Sequence, residues 1–232
     1  MTLLSERDRR ELADRFEDLQ GEVTIIVFTQ EQGPLGPPGL ECDLCRETRE
    51  LAEELAGASD LIRLEAHDFL AAGDTAAADF GIERIPALVL LGPDRKDVGI
   101  RFYGIPAGYE FATLVSDLIA MSSGAPDLSE PARDALAALP EDVHIKVFVT
   151  PTCPYCPRAV YLAHQMAMAS DRVRADGIEA SEFPELVQRY GVMGVPKTVI
   201  NETVEVEGAV PEEVLLDLVR GAVESPVGGS SR

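Results

Sequence analysis

The chain has 232 residues, 46% of them apolar, which is enough for packed cores in one large domain or two of ordinary size. A formal net charge of −21 would repel nucleic-acid phosphates and anionic membranes. The longest apolar runs, such as Val23 to Phe28, are far too short to span a bilayer, so neither nucleic acid nor membrane is an expected partner.

The N-terminus turns charged at Ser5-Glu6-Arg7 without the basic-then-apolar layout of a secretory signal, which reads as cytoplasmic. A helix is expected from the N-cap Ser5 to about Leu19, with Leu12, Phe16 and Leu19 on one face. Val23 to Thr29 is a β-branched run that reads as a buried strand. The Pro/Gly segment Glu31 to Leu40 then makes a loop ahead of Cys42 and Cys45, and a helical pattern follows from Arg46 to Leu55. Ile85-Pro86 opens a further apolar run, and a second short strand and a helix close the first half.

Residues 123–128 have linker composition, and a helix from about Glu130 to Leu139 opens a second unit. The same order then recurs: Val143 to Thr150 as a strand, Cys153 and Cys156, a helical pattern from Arg158 to Ala169, and Val195-Pro196 before another short strand and helix. Phe80-Gly81-Ile82-Glu83-Arg84-Ile85-Pro86 aligns with Tyr190-Gly191-Val192-Met193-Gly194-Val195-Pro196. Each copy reads as β-α-β-α-β-β-α, an α/β unit whose mixed sheet has helix-joined parallel strands and a terminal antiparallel hairpin. The expected division is residues 1–122, linker 123–128, residues 129–224, and a disordered tail 225–232.

All four cysteines fall in the two Cys-x-x-Cys pairs, and a proline follows the first cysteine of each at nearly the same distance, Pro86 after Cys42 and Pro196 after Cys153. Two residues between cysteines at a helix start allow a disulfide, while the first sulfur stays exposed near the positive end of the helix dipole. That end favours thiolate, the species that attacks in thiol-disulfide exchange, and the second cysteine resolves the mixed disulfide. Zinc is the other chemistry of such pairs, but more than about a hundred residues separate Cys45 from Cys153, far beyond the usual loop of a zinc site. No metal site is expected. The histidines, His67, His144 and His164, occupy unrelated places in the repeat and read as ordinary core or surface residues.

Thr150-Pro151-Thr152-Cys153-Pro154-Tyr155-Cys156-Pro157, together with Gly194-Val195-Pro196-Lys197, resembles a thioredoxin-fold protein with a glutaredoxin-type motif. Two such units in tandem, with Phe102-Tyr103-Gly104-Ile105-Pro106-Ala107-Gly108-Tyr109-Glu110-Phe111, resemble the protein disulfide oxidoreductases of archaea and thermophilic bacteria. The resemblance implies two thioredoxin-like domains, with Cys153 and Cys42 as nucleophiles and Cys156 and Cys45 as resolving thiols. It also implies cis bonds at Ile85-Pro86 and Val195-Pro196, where the residue before proline pairs with substrate through its backbone, and a role in substrate access for Tyr155.

The activity so implied is thiol-disulfide exchange on protein disulfides without a bound cofactor, because the dithiol itself carries two electrons. A thioredoxin-reductase-like flavoprotein would be the electron donor. Double thioredoxin-fold modules also occur attached to the flavoprotein reductases of peroxiredoxins, so an electron relay to a peroxiredoxin is the alternative, and a non-catalytic interaction module the reading from another class. The two sites differ in sequence. Cys42 lies between Glu41 and Asp43 with Leu44 in place of the aromatic Tyr155, whereas Cys153 has neutral neighbours and Arg158 nearby, so Cys153 is expected to be the more reactive thiol.

Overall fold

The computed structural model describes residues 3–30, 42–71 and 73–224. The inserted loop 31–40, the carboxylate expected at Glu41 and the tail 225–232 lie outside the described residues. The first half comprises α1 (Glu6–Phe16), β1 (Val23–Thr29), α2 (Cys45–Ala56), β2 (Ile62–Asp68), α3 (Ala76–Asp79), β3 (Ala87–Leu91), β4 (Asp97–Tyr103) and α4 (Tyr109–Ser123). The second comprises α5 (Glu130–Ala137), β5 (Val143–Val149), α6 (Cys156–Ala169), β6 (Val173–Glu179), α7 (Pro184–Arg189), β7 (Lys197–Ile200), β8 (Val204–Glu207) and α8 (Glu212–Glu224).

Local sequence sets the element starts. The Ser5 hydroxyl accepts from the Asp8 N–H while the Asp8 carboxylate accepts from the Ser5 N–H, a reciprocal cap on α1. The helix stops at Phe16 rather than Leu19, because the Gln20 N–H donates instead to Ser122 Oγ on α4, drawing the chain out of the helical path. Leu19 still reaches the core.

The strands form a single mixed sheet in the order β2-β1-β3-β4-β6-β5-β7-β8. Within each half the pairing is as the repeat implies: β1 runs parallel to β2 and antiparallel to β3, and β5 runs parallel to β6 and antiparallel to β7. The two sheets expected from the sequence are fused, however, because β4 pairs in parallel with β6, Ile100 opposite Ala175 through Tyr103 opposite Ile178. The close approach relies on Gly99, whose φ of 81° is left-handed and which has no room for a Cβ against the Val173 carbonyl.

Alternation along the strands splits the core in two. Val23, Ile25 and Val27 of β1 and Val143, Ile145 and Val147 of β5 face a continuous layer built from α1, α2, α4, α5, α6 and α8. Ile26 and Phe28, with Phe148, Ile178 and Val199, face the opposite side, which is covered by the short helices α3 and α7. The first layer crosses the junction without a break: Leu114 and Leu118 of α4 belong to the same cluster as Val160 and Ala163 of α6. Leu118→Ala, at a side chain with no exposure, should therefore cost about 2–5 kcal/mol and shift the unfolding of both halves together. Denaturant unfolding followed by hydrogen exchange in each half checks this; a second half whose protection is unchanged would mean separate cores.

Candidate active site

β1 and β5 run in the same direction in the joined sheet, so the two cysteine pairs, each just beyond its strand, open on one edge. Cys45 and Cys156 are the first residues of α2 and α6, and each forms a disulfide with the cysteine three residues before it, with Cα–Cα separations of 5.4 and 5.5 Å. The first cysteine of each pair was expected to stand exposed. Cys42 and Cys153 are each only 7% exposed, against 1% for Cys45 and 0% for Cys156, so the first cysteine of each pair is nearly covered and the second is sealed.

The second site is assembled tightly. Cys153 Sγ lies 3.8 Å from the Val195 carbonyl oxygen, which brings the disulfide against the Val195-Pro196 cis bond. The Cys153 N–H donates to the Thr150 carbonyl (3.1 Å), and the Tyr109 N–H, from the first half, donates to the Pro151 carbonyl (3.0 Å). That contact requires Gly108: its φ is 61°, and a Cβ there would overlap the Pro151 carbonyl oxygen. Ile85-Pro86 is likewise cis and precedes β3 beside β1 of the first site.

The surroundings differ as the sequence implies. The first turn of α6 contains no acidic residue, whereas α2 has Glu47, paired with Arg46 at 2.6 Å, and Asp43 is exposed between the cysteines. Large apolar side chains stand out from the chain around the second site: Tyr155, 71% exposed at the N-cap of α6, and Met193, 91% exposed two residues before Val195. Tyr109 adds a third, next to the contact with Pro151. At the position aligned with Met193 the first site has the charged Glu83.

Sequence reasoning missed Glu110, which sits one residue beyond that contact. It is buried at 3% exposure, and burial pushes its pKa up to about 7, with Asp117 adding to the rise and the Thr113 hydroxyl and His164 opposing it. The fully buried His164 Nδ1 meets Asp117 Oδ2 at 2.6 Å, tying α6 to α4, and burial raises the Asp117 carboxyl. Glu182 accepts from the Ile105 N–H at 2.7 Å and is also lifted to about 7, first by burial and then by the neighbouring Glu179. An acidic residue a few positions after a Gly-x-Pro turn would have flagged none of these; only their burial sets them apart.

A thioredoxin domain family model matches residues 143–219, the second half of the chain. The chain is 29% identical over 171 residues to an alkyl hydroperoxide reductase protein of Pseudomonas putida, covering 74% of this chain and 30% of that protein. A protein named NADH dehydrogenase from Ferdinandcohnia aciditolerans is 27% identical over 172 residues, again with 30% of its length covered. The chain thus spans about 30% of the length of these curated relatives. Among solved structures, the protein disulfide oxidoreductase from Aeropyrum pernix superposes with a TM-score of 0.85 at 32% identity, covering 95% of this chain and 94% of that one. The chain belongs to the protein disulfide oxidoreductase family. The NTD_N/C domain of alkylhydroperoxide reductase from Enterococcus faecalis is similar too, with a TM-score of 0.82 at 27% identity over 93% of this chain and 99% of that one. Both matches extend across the junction, so tandem thioredoxin-like units are shared by this chain and its relatives.

The buried carboxyl of Glu110 has a consequence for stability. Its native pKa of about 7 lies above the ordinary 4.5, so the native state holds a proton that the unfolded chain releases, and stability falls as pH rises through that window. Glu110→Gln removes the loss and should stabilise the protein by on the order of 3 kcal/mol at about pH 8 while changing little at about pH 4.5. Thermal unfolding of parent and variant at the two pH values checks this; equal shifts at both would refute it.

Proposed function

We propose that this chain catalyses thiol-disulfide exchange on protein disulfides, with Cys153 and Cys156 as the principal dithiol. The observation that carries the reading is the contact of Cys153 Sγ with the Val195 carbonyl at 3.8 Å: the sulfur of a nearly covered cysteine lies beside the backbone of the residue before Pro196. An extended substrate strand pairing with Val195 would bring its own sulfur to Cys153, and Tyr155 and Met193 offer apolar surface to the residues on either side.

In the reductive direction the Cys153 thiolate attacks a substrate disulfide and displaces one substrate thiolate, leaving a mixed disulfide. Cys156 then attacks Cys153, releasing the second substrate thiolate and closing the Cys153 to Cys156 disulfide, so two electrons leave the dithiol and two arrive on the substrate. The helix N-terminus at Cys156 stabilises the developing thiolate. The reverse sequence forms a substrate disulfide, and about 30 mV in relative potential moves the balance roughly tenfold. Regeneration of the dithiol falls to a flavoprotein reductase of the thioredoxin-reductase class. Cys42 and Cys45, with Ile85 and Pro86, form a second site in residues 1–122, joined by 123–128 to residues 129–224. Its acidic setting, Asp43 and Glu47, opposes thiolate formation and makes it the slower of the two.

A second reading has a specific observation in its favour, the 0.82 TM-score to the NTD_N/C domain of an alkylhydroperoxide reductase. On that reading the same dithiol passes electrons from a flavoprotein reductase to a peroxiredoxin.

Replacing Cys153 and Cys156 by serine should remove most insulin-reducing activity with dithiothreitol as donor, and replacing all four cysteines should remove it entirely; unchanged activity in the latter variant would end the oxidoreductase reading. Reduced Cys153 should also alkylate faster than Cys42 near pH 7, measured with the other pair mutated to serine, by about tenfold if the charges differ by one pKa unit in effect. Faster alkylation of Cys42 would reverse the ranking of the sites. Turnover with a peroxiredoxin exceeding that with insulin would favour the relay.

A further inference from the structure

The short helices α3 and α7 leave the middle of one sheet face uncovered, and the strands there carry charge. Tyr103 on β4, His144 and Lys146 on β5, and Arg174 and Asp176 on β6 line a cavity of about 330 Å³. Its cations are already matched: Arg174 Nε donates to Asp176 (2.8 Å), Lys146 and Arg189 to Glu202, and Arg84 to Glu185. The cavity is therefore not an anion site in waiting. Two further hydrogen bonds, from Arg174 and Tyr103, go to the loop Gly81 to Ile85, which carries the cis bond of the first site.

Arg174 Nη1 donates to the Gly81 carbonyl (3.2 Å) and Nη2 to the Tyr103 hydroxyl (2.8 Å), while that hydroxyl donates to the same Gly81 carbonyl (3.4 Å). Asp176, 3% exposed, holds the guanidinium in place and is itself met by His144 Nε2 at 2.5 Å. Gly81 has a φ of 63°, and a Cβ there would come within 2.8 Å of Arg174 Nη1. A second tie is Arg84 to Glu185 on α7 (2.9 Å). Both ties come from the other half of the chain.

The repeat supplies the comparison. In the second half the matching carbonyls are held from within: Lys197 Nζ donates to Tyr190 O (2.6 Å) and Gly191 O (3.4 Å) and pairs with Glu205 (2.7 Å). The position aligned with Lys197 in the first half is Ala87, which has no donor to offer. Arg101 reaches Phe80 O, the counterpart of Tyr190 O, at 3.4 Å, and the carbonyl of Gly81, the counterpart of Gly191, receives a neutral hydroxyl from Tyr103 of its own half but its cation, Arg174, from across the junction.

We infer that Arg174 is a positioning residue for the Cys42–Cys45 site: the first site borrows from the second half the cation that the second site finds in its own Lys197. The inference rests on the oxidoreductase reading for its kinetic consequence and on geometry alone for its structural one.

The test uses the full chain with Cys153 and Cys156 replaced by serine, carrying Arg174→Met, Arg174→Lys or the surface variant Glu185→Gln. Hydrogen exchange of the segment 80–86 should rise at least about tenfold with Arg174→Met and stay near the parent level with Arg174→Lys, while the segment 190–196 is unaffected. The kcat/KM of Cys42–Cys45 for a peptide disulfide should fall about tenfold with Arg174→Met, mainly through KM, and recover to within about threefold with Arg174→Lys. Glu185→Gln should act in the same direction and on the same site, by about twofold to threefold, without loss of folding. In the converse background, with Cys42 and Cys45 replaced, Arg174→Met should change Cys153–Cys156 turnover by less than about twofold. Equal loss at both sites, or unchanged exchange at 80–86 in Arg174→Met, overturns the inference. Absence of turnover in the parent background would instead refute an active first site, and exchange would still decide the bracing.

Discussion

The parallel pairing of β4 with β6 is the constraint on which the other features depend. Without it each repeat would present an unpaired edge strand, a template for aggregation. With it, two mixed sheets become one, β1 and β5 point the same way, and both disulfides emerge on one edge. Four strand spacings separate β1 from β5, roughly 19 Å at about 4.8 Å each.

The junction also explains why the halves brace each other. Tyr109 of the first half holds the loop before Cys153, and the His164–Asp117 pair fixes α6 to α4 directly behind that site. Arg174 of the second half holds the loop before Pro86. Burying charged groups is costly unless each is paired, and the fully buried His164–Asp117 pair meets that need across the boundary, which favours one relative placement of the repeats. Glu110 and Glu182 lie near the same junction without a cation paired to them, and burial moves both carboxyls up to about 7.

Much of the fold was legible before any coordinates. The β-branched runs at Val23 and Val143, the N-cap at Ser5, and the recurrence of Cys-x-x-Cys followed by an apolar-Pro pair gave the element order and both dithiols, because strand, cap and repeat signals are local. The sequence reading also distinguished the two dithiols, since Asp43, Leu44 and Tyr155 are neighbours in the chain. It placed Leu19 and Leu139 inside helices that end earlier, at Phe16 and Ala137, because apolar spacing marks burial and not helix length. It read His164 as ordinary and gave Glu110 no role, since nothing in their flanking residues reveals that both will be buried at the junction.

The amino-acid sequence by itself determined that this protein has two copies of one α/β unit, each with a dithiol at a helix start. Spacing along a chain suffices to set chemistry that lives within one strand-to-helix turn. Tertiary structure alone decided that β4 meets β6, that the first cysteines are nearly covered, and that Gly81 takes its hydrogen bond from Arg174. Those outcomes depend on which faces and edges are left over once each repeat has folded, and on groups some ninety residues apart satisfying one another away from water.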